Sequence, residues 1–137
     1  DATVLDAFAG SGALGIEALS RGAAHVTFGE VDRAARSTLE ANLADLGPDP
    51  RRWSVVGDGR SALASGGPFD LILLDPPYAF DGWDGLLATV ASALATDGVA
   101  VIESDRELTL PAGLDGIRSR TYSGTVVQFA TTAGAPP

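Results

Sequence analysis

Asp75-Pro76-Pro77-Tyr78 follows an apolar run, Phe69 to Leu74, and brings together groups of complementary chemistry. Two consecutive prolines remove two backbone N–H donors and stiffen the chain. Their neighbours' carbonyls can then be held outward as acceptors, while Asp75 adds a carboxylate and Tyr78 a flat aromatic face. This set suits a planar base that bears an exocyclic amine. The lone pair of such an amine is delocalised into the ring, which makes it a poor nucleophile. Acceptors on its two N–H groups favour a pyramidal nitrogen and stabilise the positive charge that develops during attack. Stacking on Tyr78 would aim that nitrogen at a methyl group. Neither a metal nor a covalent intermediate is needed. The competing reading is a rigid loop after a core strand, with Tyr78 lying over apolar surface.

A second constellation lies near the start of the chain. The apolar run Val4 to Phe8 reads as a buried strand, Gly10, Gly12 and Gly15 as a tight turn, and Leu14, Ile16, Ala18 and Leu19 as a helix. The spacing Gly10-x-Gly12-x-x-Gly15, with Glu30 twenty residues past Gly10, fits a dinucleotide fingerprint. Asp6 departs from that reading. A carboxylate just before the turn is awkward for a pyrophosphate and useful for a cation. S-adenosylmethionine carries an ammonium and a sulfonium and no phosphate, so it is the expected cofactor. A packing turn without a ligand is the alternative.

The elements that must position these groups alternate in type. Strands are expected over Thr3–Phe8, His25–Glu30, Trp53–Val56, Phe69–Leu74 and Val99–Glu103. Helices are expected over Ala13–Arg21, with Gly22 closing it, from Asp32 through Ala35, Leu39, Leu43 and Leu46 to Gly47-Pro48, and over Arg60–Ala64. A further helix carries Leu86, Leu87, Val90 and Leu94 and stops at Asp97-Gly98. Pro48 to Arg52 reads as a polar loop. Ile117–Tyr122 and Thr125–Thr131, separated by Ser123-Gly124, read as a hairpin. The fold class is therefore α/β: a mainly parallel sheet with helices on both faces and a C-terminal antiparallel hairpin. Such sheets bind ligands outside the carboxyl ends of their strands. Asp6 with its turn, Glu30, Asp58 and Asp75 all fall at those ends. Each acid alone reads equally well as a solvated loop residue or a helix cap; four strands delivering acids to one edge read as a site. His25 reads as an edge histidine near a strand start.

Composition narrows the class. One domain is expected from 137 residues, and 45% hydrophobic residues make it globular. No apolar run reaches membrane-spanning length and no basic region precedes an apolar one, so a soluble cytoplasmic protein is expected. Without cysteine there is neither a disulfide framework nor a thiolate metal site, and the single His25 cannot build a zinc site. A net charge of −9 argues against a broad basic groove for nucleic acid. The chain has no methionine and opens at Asp1, next to a core strand. It is expected to be a piece of a longer protein: residues 1–132 the domain, its natural N-terminal segment missing, and 133–137 a disordered tail.

Three stretches resemble the bacterial RsmD-type methyltransferases: Asp6 to Ala23, Glu30 to Ala34, and Leu74-Asp75-Pro76-Pro77-Tyr78. The likeness extends to Glu103-Ser104 and to Tyr122-Ser123-Gly124. It implies a class I, Rossmann-like, S-adenosylmethionine-dependent enzyme that methylates N2 of a guanine (guanine 966 in that family) in small-subunit 16S ribosomal RNA. It implies that Asp6, Gly10, Ser11 and Gly12 line the methionine end of the cofactor and that Glu30, with Val31 beside it, holds the ribose. Asp58 would meet the adenine amine next to Gly59. Asp75 would face both cofactor and target amine, and Pro76, Pro77 and Tyr78 would form the target pocket. The expected partner is ribosomal RNA or an assembling small subunit, with no membrane and no metal, and the protein is expected to be a monomer. Asp-Pro-Pro-Tyr is shared by many amino-methylating enzymes. Two readings therefore stay open beside this one: an amino-methyltransferase acting on DNA adenine or cytosine or on a protein amide, and a non-catalytic cofactor-binding module.

Overall fold

The computed structural model describes residues 1–47 and 49–134. In chain order it runs β1 (Thr3–Asp6), α1 (Ala13–Ser20), β2 (His25–Gly29), α2 (Arg33–Ala44), a 3-10 turn (Pro50–Arg52), β3 (Trp53–Val56), α3 (Gly59–Ser65), β4 (Phe69–Leu74), α4 (Trp83–Ala93), β5 (Leu94–Ser104), β6 (Leu114–Tyr122) and β7 (Thr125–Thr132). The strands form one seven-stranded sheet in the order β3-β2-β1-β4-β5-β7-β6. Pairing is parallel from β3 across to β5 and antiparallel for β5–β7 and β7–β6. The chain first steps outward from β1 to β3 and then returns to place β4 on the other side of β1. This reversal makes β1 and β4 the switch point, where crossing connections leave a crevice.

Each face of the sheet has its own core because successive strand residues point to opposite sides. Val4 joins Val26, Phe28, Leu39, Leu43 and Leu73 under α1 and α2. Leu5 joins Ile72, Leu74, Ile102 and the α3–α4 residues Leu63, Leu87 and Val90. The alternation Ile72, Leu73, Leu74 explains why β4 is apolar throughout: it is covered on both sides. Leu39 and Leu43 carry the buried face of α2, while Leu46 lies beyond its end and is exposed. Asp32 caps that helix, its carboxylate accepting from the Ala35 N–H at 2.9 Å.

Several expected boundaries are corrected. β1 stops at Asp6 and β2 at Gly29, so Phe8 and Glu30 belong to the loops above the sheet. α1 ends at Ser20, and Gly22 follows its cap at φ 101. α3 reaches Gly59–Ser65, and the polar loop contains the 3-10 turn. Leu94 is not helical: α4 ends at Ala93, and Leu94 is extended and pairs with Phe69. The helical spacing of Leu86, Leu87, Val90 and Leu94 is satisfied because Leu94 is buried from the strand instead. The turn Asp97-Gly98 lies inside a register shift before β5 settles onto Leu71 at Val99. β6 starts at Leu114, three residues earlier than expected, and carries an irregularity between Gly116 and Arg118. In the expected tail, the Ala133 N–H donates to Gly113 at 3.0 Å, and 135–137 lie outside the described residues.

Candidate active site

Two cavities open side by side at the carboxyl ends of the parallel strands. The first, about 390 Å³, is lined by Ala7, Phe8 and Gly10 after β1, Gly29, Glu30 and Val31 at the end of β2, and Gly57 to Arg60 after β3, closed by Asp75, Pro77 and Phe80. The second, about 360 Å³, is lined by Asp75 to Tyr78, Trp83, Glu103 to Asp105, Gly124 and Thr125. Asp75 and Pro77 line both. A ligand in one cavity and a ligand in the other would therefore meet across this dipeptide edge.

The glycine turn shapes one wall of the first cavity. Gly10 and Gly12 have φ of 58° and 92°, backbone that L side chains rarely adopt. A side chain on Gly12 would also run into Leu39. The turn is anchored from β2, where Glu30 Oε1 accepts the Gly10 N–H at 2.8 Å and Oε2 accepts the Asp32 N–H at 2.8 Å. Both oxygens are thus fixed in orientation and keep acceptor capacity for a donor in the cavity, such as a hydroxyl. Below the turn, Asp6 is 2% exposed, and its Oδ2 accepts the Gly15 N–H at 3.1 Å. Burial pushes the Asp6 carboxyl up to about 6 against the pull of that hydrogen bond, and the nearby Asp75 and Glu30 charges add to the rise. Asp75 and Glu30 within electrostatic reach of Asp6 make the switch point a place that favours a cation.

On the opposite wall, Asp58 caps α3 and accepts the Arg60 N–H at 2.9 Å. Its oxygens also meet the Arg60 guanidinium at 3.1 and 3.0 Å, and these bonds hold its carboxyl below the usual range. Asp58 is therefore at once a helix cap, an ion-pair partner and a lining residue. Gly59 packs against backbone: a Cβ there would collide with the Ala7 carbonyl oxygen, and one on Gly29 would collide with Gly59 Cα. The loops after β1, β2 and β3 can close around the cavity only because these positions lack side chains. Phe8 and Phe80 add apolar wall, their rings edge to face at 5.7 Å, and Phe80 continues onto Trp83 at 5.2 Å.

In the second cavity Tyr78 is 88% exposed, so its ring is a free face rather than a cover over apolar surface. Asp75 follows the end of β4 and Glu103 is the penultimate residue of the adjacent β5, each directly after the paired residues Leu74 and Ile102. The surrounding protein pushes both carboxyls up by desolvation. The neighbouring Asp75 charge and a hydrogen bond between the two side chains raise Glu103 further, and the same bond partly offsets the rise at Asp75.

Of the expected cofactor residues, Gly10, Glu30, Val31, Asp58, Gly59 and Asp75 share the first cavity, and Asp75, Pro76, Pro77 and Tyr78 share the second. Asp6, Ser11 and Gly12 line neither. Asp6 lies beneath the turn, Gly12 is packed against Leu39, and Ser11 faces outward with its carbonyl accepting from Asn42 Nδ2 at 2.9 Å. His25 lies away from both cavities and contacts Ser54 Oγ at 3.0 Å. Sequence reasoning gave no role to Phe8, Phe80, Arg60 or Glu103. Phe8 ends the apolar run after β1 and Phe80 follows the Asp-Pro-Pro-Tyr loop, so neither carried a sequence signal that separates a cavity wall from ordinary core. Glu103 was legible as an acid ending β5, by the same rule that selected Glu30 and Asp75.

Comparison with known proteins agrees with this geometry. The family model described as conserved hypothetical protein 95 matches residues 1–131. The chain is 39% identical to YlbH of Bacillus subtilis, over 95% of this chain and 76% of that protein. It is 42% identical to the ribosomal RNA small subunit methyltransferase D of Escherichia coli, over 81% of this chain and 57% of that protein. It thus spans little more than half the length of the latter. Among solved structures, yhhF from Escherichia coli superposes with a TM-score of 0.85 at 34% identity, over 96% of this chain and 76% of that one. The chain belongs to the conserved hypothetical protein 95 family, the family of the RsmD-type methyltransferases, and has their Rossmann-like fold.

Proposed function

We propose that this chain is the catalytic domain of an S-adenosylmethionine-dependent enzyme that methylates the exocyclic N2 amine of a guanine in small-subunit ribosomal RNA. The observation that carries this reading is the shared edge of the two cavities at Asp75 and Pro77. S-adenosylmethionine is the cofactor, and bound in the first cavity it supplies a sulfonium methyl group. Glu30 accepts from its ribose hydroxyls, and the apolar Phe8–Phe80 wall and the Asp58–Gly59 backbone receive its adenine. The acids Asp6, Glu30 and Asp75 favour its positive charge over a pyrophosphate.

The target base enters the second cavity and stacks on Tyr78, and Asp75 accepts from its amine. The cofactor would supply the methyl group and keep the bonding pair as its sulfur is released neutral, while Asp75 and Tyr78 hold the N2 lone pair toward that methyl. N2 becomes cationic in the same step and gives up one proton to Asp75, which passes it to water. A carboxylate placed where positive charge develops favours the transition state over the neutral ground state.

Calorimetric titration with S-adenosylmethionine, with NAD as control, tests the cofactor. Binding of the first alone is expected, and preferential binding of NAD would overturn the assignment. Methyl transfer by the full-length protein to ribosomal RNA, small subunits and naked DNA then tests the substrate. Methylation of DNA in preference to both RNA forms would replace the proposed substrate. Asp75→Ala should abolish transfer while leaving the fold intact.

A further inference from the structure

We propose that Glu103 reads the target base: its carboxylate accepts the N1–H and one N2–H of guanine, while Asp75 accepts the other N2–H. This rests on the guanine-N2 reading above and names the residue that would enforce it.

The placement comes from the sheet. β4 and β5 are parallel neighbours with Leu74 opposite Ile102, so the residues that follow, Asp75 and Glu103, emerge side by side into one cavity. Parallel strands lie about 4.8 Å apart. Two carboxylates at that spacing repel each other unless donors come between them. No cationic side chain lines this cavity among the described residues. Relief must therefore come from what enters.

The edge of guanine fits that need. Its N1–H stands beside the 2-amino group, so the base presents adjacent N–H donors to a carboxylate pair. Adenine and cytosine also carry an exocyclic amine, but the ring nitrogen beside it is an acceptor. Against an ionised Glu103 that nitrogen would meet a carboxylate oxygen with no hydrogen between them. A site built to accept a donor rejects an analogue that lacks it, because the buried acceptor is left unpaired. Glu103 lines only the second cavity, so its part in base recognition is separable from cofactor binding.

The test uses the full-length enzyme and ribosomal RNA into which guanosine or 2-aminopurine riboside has been ligated at the target position. 2-Aminopurine keeps the 2-amino group but has an acceptor at N1. The wild type is expected to prefer guanine in kcat/KM by about tenfold to a hundredfold, the range of one hydrogen bond to a charged group. Glu103→Gln, whose amide can donate to N1, should bring the ratio close to one. Its affinity for S-adenosylmethionine should stay unchanged by calorimetry. A Glu103→Gln enzyme that keeps the wild-type ratio would overturn the assignment, as would a wild type that does not distinguish the two bases. Failure of the wild type to methylate guanine at all would instead bring down the underlying reading, and this proposal with it.

Discussion

Asp6→Asn isolates the energetic cost of the buried carboxylate at the switch point. The side chain is 2% exposed, and its carboxyl is pushed from 3.8 up to about 6, chiefly by burial. An acid whose pKa rises on folding binds its proton more tightly in the native state. The stability from protonated Asp6 is therefore fully present below about pH 3.8 and is lost as pH rises through about 6. A rise of about two units corresponds to about 3 kcal/mol of lost stability on the alkaline side. Asparagine has nearly the same shape, and its oxygen can still accept the Gly15 N–H that Asp6 Oδ2 accepts at 3.1 Å. Its buried NH₂ brings a penalty of about 1–3 kcal/mol if unpaired, but that penalty does not change with pH. The informative quantity is the stability difference between variant and wild type at pH 8 minus the same difference at pH 4. Urea unfolding across that interval should give about 2.5 kcal/mol in favour of Asp6→Asn, with most of the change between pH 4 and 6. Parallel stability curves would refute the reasoning, since they would mean that Asp6 titrates alike in the folded and unfolded chain. The stabilised variant should bind S-adenosylmethionine more weakly, because the charge that destabilises the free protein is one that favours the cationic ligand.

Glu30→Ala removes two acceptors that are oriented by the Gly10 and Asp32 amides; cofactor affinity should fall by about 1.5–3 kcal/mol in calorimetry, and an unaltered Kd would remove Glu30 from the ribose site. Gly59→Ala places a methyl group against the Ala7 carbonyl and forces backbone apart; loss of cofactor binding with a lowered Tm is expected, and wild-type binding would refute the close approach. Tyr78→Ala should leave the Tm unchanged, because the ring is 88% exposed, and should lower kcat/KM for RNA; full activity would exclude stacking on Tyr78. The raised Asp75 and Glu103 carboxyls must both be ionised to accept N–H donors. The acid limb of the kcat/KM profile should therefore begin at a higher pH than ordinary carboxylates would give, and Glu103→Gln should move it to lower pH.

Much of the site was legible in the chain because its positions are local in sequence. A carboxylate or glycine immediately after an apolar run lies at a strand's carboxyl end whatever the strand order, and this single rule found Gly10, Glu30, Asp58, Asp75 and their neighbours. The strand–helix alternation likewise specifies a parallel sheet, because each crossover helix must return the chain to the same edge. Sequence also carried Asp-Pro-Pro-Tyr, whose backbone stiffness and acceptors belong to four consecutive residues. Tertiary structure decided the rest. Only the strand order sets β5 against β4 and so makes Glu103 the neighbour of Asp75. Only packing shows that Asp6 lies under the glycine turn rather than in the cavity, and that Asp58 is committed to its helix and to Arg60. Only backbone proximity reveals why Gly29 and Gly59 cannot carry side chains. Helical spacing placed Leu94 correctly in the core but in the wrong element, since burial of a side chain does not record whether its backbone pairs with a helix or with Phe69. Periodicity and strand-end chemistry act within one segment; charge pairing, close approach and the meeting of two cavities depend on segments far apart in the chain, and the fold alone brings those together.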